Sequence, residues 1–423
     1  MRHAGRVVVG LLALLFLAQA HAAPRIDIGR DLGLDKGWLP AYRAVKRQMD
    51  KAGPNAKFAY VSGPVSTGGA GTIGKNLQRG TAAANALRAQ GYAVVSPFEL
   101  EGALRSAGIA KPKYHATFMK IWSRVLADPR VDRLVLLPGA ESSVGATIEQ
   151  GLFAKDGRTI QRAEFGKRGK VTLRDVRVDP KVGRVEHTLL GTTTTKADVE
   201  REARWAGGAG VRAMVVRPEY VETAARSIGK RLSTVTAAVI GFPQDKFADL
   251  AHFAPVSTRA KLDDAKRAIR GAARAGAHVL ELDMILDVHA VKAGNIGEAQ
   301  RDVERVIAGA RAYGKQRGVA TKVKVILETS LLTPREVAIG AAIVRRTKAL
   351  SVKTSTGYGP RGASVADLHT IQRIVGDTKL IKVSGGVTAQ TYAQFERLGH
   401  IFGMSKTREL AGAAPVTGPT STY

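Results

Sequence analysis

The sequence predicts an α/β protein in which a small parallel-sheet domain of Rossmann or flavodoxin-like build is followed by a TIM (β/α)8 barrel. Three observations predict it. Short apolar runs alternate with helical periodicity from Lys57 to Ala154. The stretch Gly157 to Arg184 then changes character, being dense in Lys, Arg, Asp and Gly with short Val-x-Val alternations. Beyond it, eight short apolar runs recur between residues 187 and 403 with helical segments between them. That is the count and length of a (β/α)8 barrel.

Taken in order, Met1 to Ala22 reads as a secretory signal. Arg2 and Arg6 supply the charged start, Val7 to Leu17 the apolar run, and Ala20-His21-Ala22 the small-x-small cleavage site. The expected location is therefore exported, periplasmic or secreted, and cytoplasmic if the leader is not functional. The apolar run is short for a membrane span. Arg25 to Asn55 is a polar, helical approach segment. The first domain spans residues 56–158, with strands at Lys57–Ser62, Tyr92–Ser96 and Arg133–Leu137, a glycine-rich loop at Thr67–Gly74, and helices at Asn76–Gln90, His115–Leu126 and Ser143–Ala154. Residues 159–183 read as a linker that leaves room for a hairpin. The barrel spans 184–412. Its expected strands are His187–Leu190, Ala213–Val216, Ala237–Gly241, Val279–Ile285, Lys324–Glu328, Leu350–Lys353, Leu380–Val383 and His400–Gly403. Residues 413–423 form a Pro/Thr/Ser tail expected to be disordered.

Composition narrows the chemistry. The 423 residues include no Cys, which excludes a disulfide framework, a thiol nucleophile and thiolate metal ligation. The nine His show no His-x-x-x-His or His-Glu-x-x-His spacing, so no metal or other cofactor is expected. The formal charge of +29 suits anionic partners. The basic residues are nevertheless spread along the whole chain, aromatics are only 5%, and no recognition-helix or stacking pattern appears, so no specific nucleic acid is expected.

The chemistry concentrates at two lysines. Lys353 closes an apolar run and precedes Thr354-Ser355-Thr356-Gly357; Lys382 closes the next one, before Gly385-Gly386. Desolvation and a neighbouring cation both lower a lysine's pKa and make it an amine nucleophile near neutral pH. In a barrel the active site lies at the C-terminal ends of the strands, and Asp283, late in the fourth strand, points at the same mouth. Barrel phosphate sites commonly use the loops after strands seven and eight, which offer Gly385, Gly386, Gly403 and Ser405.

Ile326-Leu327-Glu328-Thr329-Ser330-Leu331-Leu332-Thr333, Val352 to Gly357 and Lys382 to Gly386 together resemble deoxyribose-phosphate aldolase. The likeness extends to Glu186-His187-Thr188-Leu189-Leu190, Val239 to Pro243 and Glu281 to Met284, and covers roughly residues 184–410. The resemblance implies a class I aldolase that reversibly cleaves 2-deoxy-D-ribose 5-phosphate to acetaldehyde and D-glyceraldehyde 3-phosphate. Lys353 matches the Schiff-base lysine, Lys382 the lysine that depresses its pKa, and Asp283 the aspartate of the proton relay. The chain departs from the family at Glu186, where an aspartate is usual, at Arg217, where an asparagine precedes the proline, and at Ser405-Lys406, where paired serines are common.

Residues 56–155 resemble the nucleoside 2-deoxyribosyltransferase-like superfamily, through Tyr60 to Pro64, Asn76, Ser96 to Phe98 and Leu136 to Glu149, and are most similar to a branch of uncharacterised function. There the resemblance makes Glu149 a candidate nucleophile, although Ser143 stands where the transferases carry an aspartate; the alternatives are phosphate or nucleotide binding at the Gly63 and Ser142-Ser143 loops, or a purely structural domain. The expected partners are a small phosphorylated sugar at the barrel and nucleosides at the first domain, with an oligomer left open. The alternative is an exported basic protein whose non-catalytic barrel binds nucleotides or other polyanions.

Overall fold

In a computed structural model of the chain, the structure describes residues 45–65, 72–99, 121–166, 170–176 and 179–410, apart from residues 48, 123, 180, 230–233 and 406. The leader, residues 25–44 of the expected approach segment, most of the 67–74 loop, residues 115–120 of the expected helix His115–Leu126, Lys406 and the tail lie outside the described residues. The chain divides into two compact units, residues 1–153 with 157–177 and residues 178–423 with 154–156.

The first unit is a five-stranded sheet in the order β2-β1-β3-β4-β5. Strands β1 (Phe58–Ser62), β2 (Ala93–Val95), β3 (Val131–Leu136) and β4 (Thr159–Phe165) run parallel, and β5 (Val171–Asp175) returns antiparallel to β4. Helix α1 (Ile73–Ala89) joins β1 to β2, and α2 (Val144–Lys155) joins β3 to β4. The segment expected to be a linker is therefore in large part sheet. Ile160 and Ala163 of β4 are buried, whereas β5 is only partly covered. An edge strand with few apolar residues and many charges carries too weak a period to announce itself.

The second unit is a closed barrel of eight parallel strands in sequence order, β6 to β13. They are β6 (Val185–Leu189), β7 (Ala213–Val216), β8 (Val235–Ile240), β9 (Val279–Ile285), β10 (Ala320–Ile326), β11 (Ser351–Lys353), β12 (Leu380–Ser384) and β13 (Ile401–Met404). The main helices between and after them are α3 (Lys196–Ala209), α4 (Val221–Ile228), α5 (Thr258–Arg274), α6 (Ile296–Gln316), α7 (Pro334–Arg346), α8 (Val365–Val375), α9 (Ala389–Phe395) and α10 (Thr407–Leu410), with a short helix at Val288–Lys292 before α6. Capping boxes start α3 at Thr195/Asp198 and α7 at Thr333/Glu336, the latter with Pro334 in the first turn. The apolar sides of strand and helix meet in one core that runs around the barrel, with Leu280, Leu282, Met284, Val323 and Val325 among its fully buried members.

Candidate active site

Strand alternation puts Leu280, Leu282 and Met284 on one face of β9 and Glu281 and Asp283 on the other. The same rule on β10 sets Val323 and Val325 against Lys322 and Lys324. The apolar face belongs to the core, so the charged face fills the barrel interior. There it meets Glu186 from β6, Lys353 from β11, Lys382 from β12 and Arg212, the residue before β7. All of these except Arg212 are buried, and Arg212 is part-buried.

The side chains form one continuous ion-pair ladder. At one end Arg212 holds Glu281 at 2.8 and 2.9 Å, and Lys322 stands 3.7 Å from the same carboxylate. Arg212 also pairs with Glu186. In the middle, Lys324 Nζ lies 2.8 Å from both Glu186 oxygens, 2.9 Å from Glu281 and 3.1 Å from Asp283 Oδ1. At the mouth, Lys382 bonds Glu186 and lies 2.6 Å from Asp283 Oδ2. Lys353 Nζ donates to that same oxygen at 3.1 Å. The three residues expected to act together do meet at one carboxylate oxygen.

Burial lowers the pKa of Lys353 most, the Lys382 charge lowers it further, and Asp283 offsets part of the effect, leaving it at about 8. At pH 7 roughly a tenth of such an amine is free, about 300 times more than for an ordinary lysine. Burial alone would push Asp283 up, but Lys324, Lys382 and Lys353 hold it well below the usual carboxylate range. Glu186 and Glu281 are likewise held down against burial, chiefly by Lys324 and by Arg212 respectively. Against burial, the carboxylates in turn raise Lys324 and Arg212.

Around Lys353 the mouth is walled by aromatic rings. The Phe242 centroid is 5.8 Å from Nζ, and Tyr358 packs edge-on against Phe242 at 5.1 Å. Glu328, just beyond β10, has φ 54° and is the only non-glycine with positive φ among the described residues. Its carboxylate accepts from the Thr356 backbone N–H at 3.0 Å, from the Thr356 hydroxyl and from Ser330 at 2.9 Å. It therefore ties down the loop that follows Lys353, and the strained backbone is a mark of that constraint.

The expected phosphate residues separate. Gly385 and Gly386 follow β12 with φ 87° and 70°, and Gly386 is exposed with open space around it. Ser405 follows β13 and is half-buried. Gly403, expected in the loop, is instead inside β13, paired with Ser384 and Glu186. A Cβ there would stand 3.2 Å from Lys382 Cε and 3.1 Å from Ser384 Cβ, so this glycine makes room for Lys382.

In the first unit, Glu149 on α2 is buried at the end of β1. Tyr60 Oη donates to one carboxylate oxygen at 2.8 Å and Ser62 Oγ to the other at 2.5 Å. Burial raises the Glu149 pKa against those two hydrogen bonds, and burial together with the carboxylate raises the Tyr60 phenol.

Sequence reasoning missed Lys324, Arg212, Glu281 and Lys322, and it treated Glu186 only as a departure. The available signal was Glu281-x-Asp283 beside Lys322-x-Lys324, two charge pairs at strand spacing in neighbouring strands.

A family model described as a domain of unknown function (DUF4406) matches residues 57–161. The deoxyribose-phosphate aldolase of Carboxydothermus hydrogenoformans is 34% identical over 203 residues, 48% of this chain and 80% of that protein. That of Aciduliprofundum boonei is 30% identical over 228 residues, 53% of this chain and 93% of that protein. Among solved structures, the deoxyribose phosphate aldolase from Aeropyrum pernix, described as a unique tetrameric structure, is 24% identical with a TM-score of 0.45, covering 55% of this chain and 90% of that one.

Proposed function

The chain belongs to the deoxyribose-phosphate aldolase family through its barrel, and from that premise we propose that it cleaves 2-deoxy-D-ribose 5-phosphate reversibly to acetaldehyde and D-glyceraldehyde 3-phosphate by way of an imine on Lys353. It is a class I aldolase and a carbon–carbon lyase. The observation that carries the imine is Lys353 itself, a buried amine with a pKa near 8 that shares one Asp283 oxygen with Lys382. The Lys353 amine attacks the aldehyde carbon, and loss of water leaves an iminium. Removal of the proton from the C3 hydroxyl breaks the C2–C3 bond. The bond electrons pass to C2 as an enamine, and the C3 oxygen becomes the aldehyde of the three-carbon product. Protonation at C2 and hydrolysis then release acetaldehyde and the free lysine. Asp283, acting through a water, moves the protons, and Lys324 and Lys382 keep it ionised. Gly385, Gly386 and Ser405 take the phosphate.

Borohydride trapping tests this. The chain is incubated with deoxyribose 5-phosphate, reduced, digested and examined by mass spectrometry. The adduct is expected on Lys353 and absent from Lys353→Ala. A folded wild-type chain that gives no adduct refutes the assignment.

For the first unit, the reading is a nucleoside site with Glu149 as glycosyl nucleophile, supported by its placement against Tyr60 and Ser62. Exchange of the base of a deoxyribonucleoside, lost in Glu149→Ala, tests it; no exchange by the wild type removes it. Export through Met1–Ala22 would leave a mature chain that begins at Ala23, which N-terminal sequencing of the secreted or periplasmic protein checks.

A further inference from the structure

Among the described residues, the other buried lysines and arginines of the barrel interior and its surrounding helices, with the part-buried Arg212, are matched in one of two ways. Arg212, Lys322, Lys324, Lys382 and Lys261 stand against carboxylates. Arg184 and Lys379 stand against backbone carbonyls at helix ends. Arg184 donates to Glu396 and Gly399 just past α9, and Lys379 to Thr347 and Ala349 just past α7. A helix C-terminus offers partial negative charge to a cation.

Arg217 has neither. It is 6% exposed and directly follows β7. Its Nε donates to the Leu190 carbonyl at 2.7 Å, one terminal nitrogen to the Gln244 side-chain oxygen at 3.1 Å and the other to the Pro243 carbonyl at 3.4 Å. None of these acceptors is charged, and none ends a helix. Among the described residues no carboxylate pairs with it, and Glu219 and Asp245, close by in sequence, are exposed. A guanidinium has five N–H donors, so one on each terminal nitrogen remains. A buried cation without a counter-charge is costly to hold unless a ligand completes it.

The place of this cation gives it a use. In a closed eight-stranded barrel, β7 is four strands from β11 in either direction, so Arg217 stands across the mouth from Lys353. One Phe242 ring lies between them, its centroid 5.9 Å from the Arg217 guanidinium and 5.8 Å from Lys353 Nζ. The Leu190 carbonyl also accepts from Tyr358 Oη at 3.2 Å, which ties Arg217 to the loop after β11. The glycines Gly385 and Gly386 follow β12, beside β11, whereas Arg217 follows the strand opposite it.

We propose that Arg217 is a specificity-determining residue, binding through its two remaining N–H donors an anionic group, carboxylate or phosphate, of the carbonyl substrate held at Lys353. This rests on the aldolase reading and deepens it, since the barrel then selects a charged group on the β7 side as well as any phosphate at Gly385–Gly386.

The test compares the wild type with Arg217→Gln and Arg217→Lys on two substrate pairs, deoxyribose 5-phosphate against deoxyribose for a phosphate, and a 2-oxo acid against a neutral ketone in borohydride trapping for a carboxylate. The preference for the charged member of one pair is expected to fall at least tenfold in Arg217→Gln, with partial recovery in Arg217→Lys, and the pair affected names the group. Unchanged preference in both pairs overturns the inference, as does an equal loss on charged and neutral members, which marks a loop pin. Calorimetry with inorganic phosphate and with acetate gives a readout free of turnover, where at least tenfold weaker binding of one anion in Arg217→Gln is expected. If the wild type gives no Lys353 adduct with any carbonyl but keeps Arg217-dependent anion binding, the aldolase reading fails and the anion site stands. If adducts form and neither anion depends on Arg217, only the anion site fails.

Discussion

Replacing Lys382 by Met keeps the stem and removes the charge, which isolates what that charge does to Lys353. The two amines lie 2.6 and 3.1 Å from one Asp283 oxygen, which puts their nitrogens roughly 5 Å apart for ordinary hydrogen-bond angles. At an effective dielectric near 20, like charges at that distance repel by about 3 kcal/mol, equivalent to about 2 pKa units. Without Lys382, Lys353 should therefore return from about 8 toward the ordinary lysine value, near about 10. Asp283 does not lose its last partner, since Lys324 stays at 3.1 Å from its other oxygen. The amine reacts only when deprotonated, so activity is lost as pH falls through the folded-state pKa. The profile of kcat/KM against pH, with the rate of borohydride trapping beside it, should rise through about 8 in the wild type and about 10 in Lys382→Met. At pH 7 the free amine falls by about 100-fold. A variant whose midpoint stays near 8 would refute the reasoning, because burial alone would then set the pKa.

Gly403→Ala places a methyl 3.2 Å from Lys382 Cε and 3.1 Å from Ser384 Cβ. It should cost about 1 to 3 kcal/mol in denaturant unfolding and move the same pH midpoint upward as Lys382 is displaced; an unmoved midpoint would separate this glycine from the lysine pair. Glu202 on α3 is pushed up by burial but held down to about 2 by His187 and Arg408, both at 3.2 Å, with Arg201 at 3.1 Å. A carboxylate lowered in the fold adds stability above its unfolded pKa, and that stability is lost as pH falls from about 4.5 toward 2. Glu202→Gln should therefore be about 2 kcal/mol less stable at pH 7, with the gap closing near pH 2; a gap independent of pH would remove the ionic account.

The barrel was legible because its strand ends carry the chemistry in order. Lys353 ends its apolar run, Lys382 nearly ends the next and Asp283 lies late in the fourth strand, and a parallel barrel brings such strand ends to one rim. The ladder beneath them was less legible. Thr321-Lys322-Val323-Lys324 looks like a polar approach to a strand, and only the pairing of β10 with β9 turns those lysines inward against Glu281 and Asp283. Gly403 is expected in the phosphate loop because glycines let backbone N–H groups approach an anion, yet here the missing side chain is space for a neighbour in the same sheet. The strand at 159–165 carries Arg162 and Glu164 on alternate positions, and the edge strand at 171–175 carries Arg174 and Asp175, which is also what a solvated linker carries. Glu149 was singled out by the resemblance alone, and no pattern on β1 announced that Tyr60 and Ser62 would occupy both of its oxygens.

The cost of the ladder says what it is for. A barrel interior is ordinarily filled by layers of branched apolar side chains, and exchanging buried ion pairs for such residues is often neutral or stabilising. This interior instead holds Arg212, Lys322, Lys324, Lys353 and Lys382 against Glu186, Glu281 and Asp283. With every group ionised the cations are in excess by two, and the loss of one proton halves that excess. Arg212 cannot give up the proton, and Lys324 is held protonated by three carboxylates. Lys353, at the mouth, has a single carboxylate contact, and burial and Lys382 both work against its charge. The neutral amine is thus a property of the whole ladder and not only of the nearest lysine. Neutralising Lys324, on the strand next to that of the reacting nitrogen, should on this account raise the Lys353 midpoint as well, though by less than the loss of Lys382.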